Sequence, residues 1–230
     1  MELTIDVSTK FASVALSSDG EVRRHHSWIS QRNHSIELIP AIQRLLAEGS
    51  VKISDLEAVF TTRGPGSFNS LRVGVSTAKA IASGADIPIV GISTLFLEIA
   101  PYIGLAEEVV GVIPAGKGRI YTATFSSGDE EQSDYNMVYL EKETIKQSRD
   151  MLFCGEAVHD LKSSGYLKED SLIVNTRPPT RSVSTIAAIA YNYLREGRHS
   201  SPEELEPIYV RSAQIDSAEK NRISNKRKGI

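Results

Sequence analysis

One order of strands and helices occurs twice along this chain of 230 residues, and that duplication restricts the fold more than any single motif. Residues 3–7, 11–16 and 21–28 are short segments with strand-type patterning. Ser8-Thr9-Lys10 and the turn Ser17-Ser18-Asp19-Gly20 separate them, which predicts a three-stranded antiparallel meander. Ser35 can then cap a helix in which Ile36, Ile39, Ile42, Leu45 and Leu46 recur every three to four residues, ending at Gly49. Pro40 lies inside it. Proline removes a backbone donor and clashes one turn back, so the helix is expected to kink there or to start later than Ser35. A strand over 56–62, a helix over 71–83 and a strand over 87–92 complete the order.

After about residue 105 a similar order returns. Strands are expected over 109–113, 119–125 and 137–140, a short helix over 141–147 and a strand over 151–154. A helix from Glu156, a strand over 172–174 and a helix over 183–195 follow. A period this long indicates a duplicated fold and not an array of short repeats. Three meandering strands followed by helical crossovers give a mixed sheet covered by helices, the ribonuclease-H-like unit that actin-like (ASKHA) proteins duplicate. The expected class is therefore α/β, actin-like, with two ribonuclease-H-like lobes. Residues 1–104 would form the first lobe, 105–212 the second, and 213–230 a basic, flexible tail.

With 40% apolar and 24% charged residues, the chain can bury one large core or two modest ones. Acidic residues at the start oppose a secretory signal, and no window is long and apolar enough to span a membrane, so the expected location is cytoplasmic. The single cysteine, Cys154, lies in an apolar run and reads as a buried, inert thiol. Net charge is −3, but residues 219–230 hold five basic residues against one acid, leaving the body with 21 basic and 28 acidic residues. An acidic body collects phosphates poorly. If RNA is involved, a partner or the tail should hold it; the tail also reads simply as a solvated end.

Two segments have patterns that chemistry uses. In Asp6-Val7-Ser8-Thr9, a carboxylate ends the first strand and a hydroxyl-rich hairpin follows. In a phosphotransferase of this architecture the hairpin would hold phosphates through Ser8 while Asp6 held hydrated Mg²⁺. Alternatively, Ser8 and Thr9 are turn residues and Asp6 caps or forms a salt bridge nearby. Between a strand and a helix stands Arg63-Gly64-Pro65-Gly66-Ser67-Phe68-Asn69-Ser70-Leu71. Gly64 and Gly66 let the backbone approach a ligand, with Ser67 at a helix start that attracts anions. The equal alternative is a tight turn that docks a small-residue helix against a neighbour. The stretch matches neither a Walker loop nor a dinucleotide fingerprint.

No two histidines have the spacing that sets imidazoles around a metal on one helical face, and Leu38 stands four residues after His34. No metal site is expected. No Gly-x-Ser-x-Gly elbow supports a serine hydrolase. Gly116-Lys117-Gly118 reads as a hairpin turn between two strands.

Residues 60–74, which run through Arg63-Gly64-Pro65-Gly66-Ser67-Phe68-Asn69-Ser70-Leu71-Arg72-Val73-Gly74, resemble the signature of the TsaB (YeaZ) family, usually Gly-Pro-Gly-Ser-Phe-Thr-Gly-Leu-Arg-Ile-Gly. Ile5-Asp6-Val7-Ser8-Thr9 is similar to the family's opening strand, and Asn33-His34-Ser35 with Leu38-Ile39-Pro40 to its first helix, proline included. Val90-Gly91-Ile92-Ser93-Thr94-Leu95 and the closing Glu206-Pro207-Ile208-Tyr209-Val210-Arg211 also resemble family segments. The resemblance is dense over 3–97 and thin from there to 206.

It implies an actin-like fold related to TsaD, the metal-bearing enzyme that transfers threonylcarbamoyl to the adenosine beside the tRNA anticodon. The second histidine of that enzyme's His-x-x-x-His is Leu38 here, so its metal site, and the old glycoprotease label, do not carry over. The implied role is a non-catalytic subunit that pairs with a TsaD-like partner through the two first-lobe helices, joins a TsaE-like ATPase, reaches tRNA through the complex, and forms a homodimer when alone. Helical spacing nominates Ile39, Ile42, Leu46, Leu71, Val75 and Ala78 for that interface, about half of which must instead face their own sheet. The rival is an actin-like ATP-dependent phosphotransferase or ATPase, with ATP or ADP and Mg²⁺ at the cleft or partner interface. Ile113-Pro114-Ala115-Gly116, where relatives commonly carry Ile-Asp-Ala-Arg, argues against that rival.

Overall fold

The computed structural model describes residues 1–126, 135–141 and 143–210; the expected tail, 213–230, lies outside them. Two five-stranded sheets carry the fold. In the first, β1 (Glu2–Asp6), β2 (Phe11–Ser18), β3 (Glu21–Ile29), β4 (Ala58–Gly64) and β5 (Ile89–Ser93) stand in the order β3-β2-β1-β4-β5. β1 pairs antiparallel with β2 and parallel with β4, with Ile5 opposite Val14 on one side and Thr61 on the other. In the second, β6 (Glu108–Pro114), β7 (Arg119–Ser126), β8 (Asn136–Tyr139), β9 (Met151–Cys154) and β10 (Leu172–Ile173) stand in the order β10-β9-β6-β7-β8. Read from β8, this is the order of the first sheet, with the same parallel and antiparallel pairings. The duplication is the actin-like arrangement.

On one face of the first sheet lie α1 (His34–Gly49) and α2 (Phe68–Ala85). Leu38, Ile42, Leu45 and Leu46 of α1 and Leu71, Val75, Ala78 and Ala82 of α2 are buried. Gly49 allows α1 to close on the sheet, because a Cβ there would lie 2.9 Å from the Leu16 side chain. Pro40 does not end α1 or delay its start: the helix begins one residue before Ser35 and runs through the proline. α2 begins at Phe68, three residues before the expected start, with Ser67 as its N-cap residue.

Part of the stretch expected as the second lobe, 105–212, packs on the first sheet. α5 (Val183–Arg195) packs on the first sheet, on the face away from α1 and α2. Beyond it the chain runs back along the first lobe as a strap. Ser200 N donates to Ile89 O at 3.0 Å, Leu205 enters the first core, and Ile208 N donates to Arg63 O at 2.6 Å. Conversely α3 (Thr94–Ile99), a helix not expected from the sequence, packs on β6 and β7 of the second sheet. α3, α5 and the inner faces of both sheets share one apolar core containing Phe60, Ile92, Leu95, Val109, Phe125 and Ile186. The two lobes are thus joined by buried apolar surface, the main stabilising term in a fold of this size.

Two further differences have local causes. α4 (Val158–Ser163) forms after Glu156, as expected. The helix expected over 141–147 does not form among the described residues of that stretch. The Gln147 side chain instead donates to Tyr166 O and accepts from Lys168 N and Ser171 Oγ, which holds the strand connection to the 166–171 loop. Gly116 and Gly118, both at positive φ, make the β6–β7 turn with Arg119 N on Gly116 O. Among the described residues no helix is long and apolar enough to cross a membrane.

Candidate functional site

The end of β1 and the β1–β2 hairpin lie over a buried charged cluster that joins the lobes. Arg181, from the segment before α5, donates from Nε to Asp6 Oδ2 at 2.9 Å and from Nη2 to Thr9 Oγ1 at 3.1 Å. Its Nη1 reaches Glu98 Oε1 of α3 and, at 2.8 Å, Glu156 Oε1 of the second lobe. Thr9 Oγ1 donates to the same Glu156 oxygen at 2.6 Å, a second link between the lobes. The other Asp6 oxygen, Oδ1, accepts from Ser8 N, Ser8 Oγ and Thr62 Oγ1 at 3.0, 2.7 and 2.9 Å.

All four charged residues are buried, with three carboxylates converging on one guanidinium. Burial alone would raise the pKa of Asp6, but the Arg181 charge and the Ser8 donors hold it below the usual carboxylate range. At Glu98, which also accepts from Arg181, the balance falls the other way. Burial pushes its pKa to about 7, against the pull of Arg181. Burial likewise raises the Cys154 thiol well above its ordinary value.

A cleft of about 860 Å³ opens beside this cluster, between the β1–β2 hairpin, the start of α2 and the β6–β7 turn. Lys10, Arg32 and Arg119 line it together with Ser67, Phe68, Tyr121, Glu156 and Asp160. His34 forms its floor beside α2. Its Nε2 donates to Thr9 O at 3.0 Å, and its Nδ1 lies within hydrogen-bond distance of the hydroxyls of Ser30 and Ser70, at 3.3 and 3.1 Å.

The residues nominated for nucleotide or phosphate therefore separate. Asp6 is not free to hold hydrated Mg²⁺, because Arg181 takes one oxygen and three donors fill the other. Ser8 is fully buried and its hydroxyl is given to Asp6. Gly64, at φ +105°, passes under the strap, where a Cβ would lie 2.9 Å from Ile208 O. Gly66 docks the loop on the hairpin, since a Cβ would lie 2.3 Å from Ser8 O while Ser67 N donates to that oxygen at 2.8 Å. Of the five, only Ser67 is exposed toward the cleft.

The interface nominations separate as well. Ile42, Leu46, Leu71, Val75 and Ala78 are buried in their own lobe. Their spacing marks the inward stripe of each helix. Ile39 is exposed, as is Ile36 three residues before it, and Ile39 and Ile53 border a groove lined by Ser76, Thr77, Ala80, Ile81 and Gly84. Leu38, where a second metal-binding histidine would stand, is in the core. Glu98, Glu156 and Arg181 were not singled out from sequence. A lone acid within the apolar run 94–99 and an Arg after Pro178-Pro179-Thr180 were the only signals, and 83 residues separate Arg181 from Glu98.

Comparison with known proteins gives the family. The family model described as TsaD, tRNA N6-adenosine threonylcarbamoyltransferase, matches residues 28–155. The chain is 31% identical over 229 residues to the tRNA threonylcarbamoyladenosine biosynthesis protein TsaB of Escherichia coli, covering 91% of this chain and 94% of that one. The structure of YeaZ from Pseudomonas aeruginosa superposes with a TM-score of 0.71 at 20% identity, over 91% of this chain and 99% of that one. The activator of 2-hydroxyisocaproyl-CoA dehydratase from Clostridium difficile, solved with bound ADPNP, shares the fold with a TM-score of 0.50 at 9% identity over 91% of this chain and 99% of that one. With the signature loop packed on the β1–β2 hairpin and the likeness to E. coli TsaB running nearly end to end, the chain belongs to the TsaB (YeaZ) family.

Proposed function

We propose that this chain serves tRNA threonylcarbamoyladenosine biosynthesis as a non-catalytic subunit, pairing with a TsaD-like enzyme that transfers threonylcarbamoyl to the adenosine beside the anticodon. The observation that carries this is the uncovered apolar face across α1 and α2. Ile39 and Ile53 are 45% and 47% exposed and border a groove lined by Ser76, Thr77, Ala80, Ile81 and Gly84, and Ile36, three residues before Ile39 on α1, is 71% exposed. A Cβ added at Gly84 would meet nothing within 4 Å, so a partner helix can approach closely there. Exposed contiguous apolar surface of this kind marks an interaction site.

A TsaD-like subunit of the same fold would present a matching pair of helices, and the same face would close a homodimer when that partner is absent. A TsaE-like ATPase joins the assembly and tRNA reaches it through the complex, in the cytoplasm. The rival reading, an actin-like phosphotransferase or ATPase, requires Asp6 to hold Mg²⁺. The Arg181 guanidinium on Asp6 favours the non-catalytic reading.

The test is size-exclusion chromatography with light scattering, of the chain alone and mixed with the TsaD homologue of its source, together with a tRNA modification assay. A heterocomplex whose activity needs this chain supports the proposal. No complex, with nucleotide turnover by the isolated chain, would favour the rival.

A further inference from the structure

The mouth of the interlobe cleft has a second exposed feature, separate from the groove on α1 and α2. Phe68, in the first turn of α2, lines the cleft and is 50% exposed. Tyr209 of the strap is 48% exposed and meets it with ring centroids 5.2 Å apart. The Arg72 guanidinium lies 3.9 Å from the Phe68 centroid, and its Nε donates to the Tyr209 hydroxyl at 3.4 Å. The strap is fixed for this purpose by Ile208 N on Arg63 O and by Lys79 Nζ on Glu203 O and Leu205 O. Two half-exposed rings held by an arginine have no role in the core.

The same cleft holds three cations, Lys10, Arg32 and Arg119, none of which forms a salt bridge among the described residues. Arg32 is held at φ +68°, a conformation that costs a non-glycine residue free energy and collects at functional sites. At the cleft wall Glu156 is buried, with Oε1 on Arg181 and Thr9 and Oε2 without a partner. That oxygen is enclosed by the protein and is not offered to a ligand. Asp160 is the other acid of the lining. The described chain ends at Val210, beside Tyr209, and the following twenty residues carry six basic and two acidic side chains.

The geometry points to direct contact with single-stranded RNA, a loop or an end, at this mouth. Bases stack on Phe68 and Tyr209, phosphates lie over Arg32, Lys10 and Arg119, and a ribose 2′-hydroxyl donates to Asp160, the exposed acid of the lining. Exposed aromatics beside unpaired basic residues are the means by which proteins hold unstacked RNA, and the 2′-hydroxyl is what separates RNA from DNA. Cations collected here also offset the acidic body, which by itself repels phosphates. This inference rests on the reading of the chain as a component of tRNA modification, to which it adds a direct contact. The partner groove lies toward α1, at Ser76, Thr77, Ala80 and Gly84 of α2, whereas Arg72 and Lys79 face the strap, so both surfaces can be occupied together.

Fluorescence anisotropy with a labelled stem-loop RNA, the DNA of the same sequence, and free AMP as competitor tests it on the isolated full chain. The expected result is tighter binding of RNA than DNA, weak competition by AMP, and a loss of roughly ten-fold in the Phe68→Ala, Tyr209→Ala double variant. Arg32→Ala with Arg119→Ala should weaken binding and flatten its salt dependence. Four results would overturn the proposal: equal affinity for RNA and DNA, no effect of the double variant, AMP competing as well as RNA, or binding abolished by truncation after Val210 but untouched by the face variants. All four substituted side chains are at least partly exposed, and unchanged circular dichroism and melting show that the fold is kept. Heterocomplex formation by the Phe68→Ala, Tyr209→Ala variant, measured separately, reads the partner groove alone.

Discussion

Arg181 and Asp6, 175 residues apart in the chain, form a buried ion pair with Nε 2.9 Å from Oδ2. The pair places a guanidinium where a phosphotransferase of this architecture would hold a metal ion. It also ties β1 to the segment entering α5 and, through Glu98 and Glu156, both to the second lobe. The charge on Asp6 is thereby used for structure.

Arg181→Ala leaves three carboxylates buried without their cation. Breaking a buried ion pair from one side costs on the order of 3–5 kcal/mol, so a large fall in melting temperature is expected. Arg181→Lys should recover little of it, because one ammonium cannot reproduce a planar fork that contacts Asp6, Glu98, Glu156 and Thr9 at once. Thermal melts of both variants check this, and a wild-type melt for Arg181→Ala would mean that the cluster contributes no stability.

Glu98 makes the stability depend on pH. Its folded pKa of about 7 exceeds the ordinary 4.5, so between these values the folded state binds the extra proton. Its contribution is full below about 4.5 and is lost as pH rises through 7. Asp6 acts oppositely: its pKa is lowered, and its contribution is lost only as pH falls below the ordinary carboxylate range. Glu98→Gln should flatten the decline between pH 5 and 8 seen in chemical denaturation, a difference of about 1–3 kcal/mol at the alkaline end. An unchanged slope would show that Glu98 does not titrate there.

Substitutions on the two sides of α1 and α2 should behave differently. Ile39→Asp and Ile36→Asp alter exposed side chains and should leave the melt within about 0.5 kcal/mol of wild type while abolishing association on size-exclusion chromatography. Leu71→Asp buries an unpaired charge and should unfold the first lobe. Association that survives both isoleucine variants would place the partner elsewhere.

Gly66→Ala forces a Cβ to within 2.3 Å of Ser8 O, a backbone atom that cannot rotate away. The loop must lift from the hairpin, at a cost of about 1–3 kcal/mol, with weaker protection of the Ser67 amide in hydrogen exchange. Gly84→Ala meets nothing within 4 Å and should not lower the melt.

Strand patterning and its repetition were enough to determine the two mixed sheets, because alternation and turn chemistry are local properties of the chain. The signature around Gly64 and Gly66 marked a close backbone approach, which the structure contains twice, against Ile208 and against Ser8. α3 was not legible, because all six of its residues are buried, Glu98 included, and a helix buried on every side has no polar stripe to reveal its period. Spacing alone grouped Ile39 with Ile42, Leu71 and Val75, but periodicity shows which residues share a stripe and not what covers it. Only the packed sheet decides that Ile42 faces in and Ile39 faces out. The meeting of Asp6, Glu98 and Glu156 on Arg181 was equally out of reach, because charges distant in sequence meet only when the strand order and the packing of α3 and α5 bring them together, and the energy that fixes their roles comes from the burial which that meeting creates.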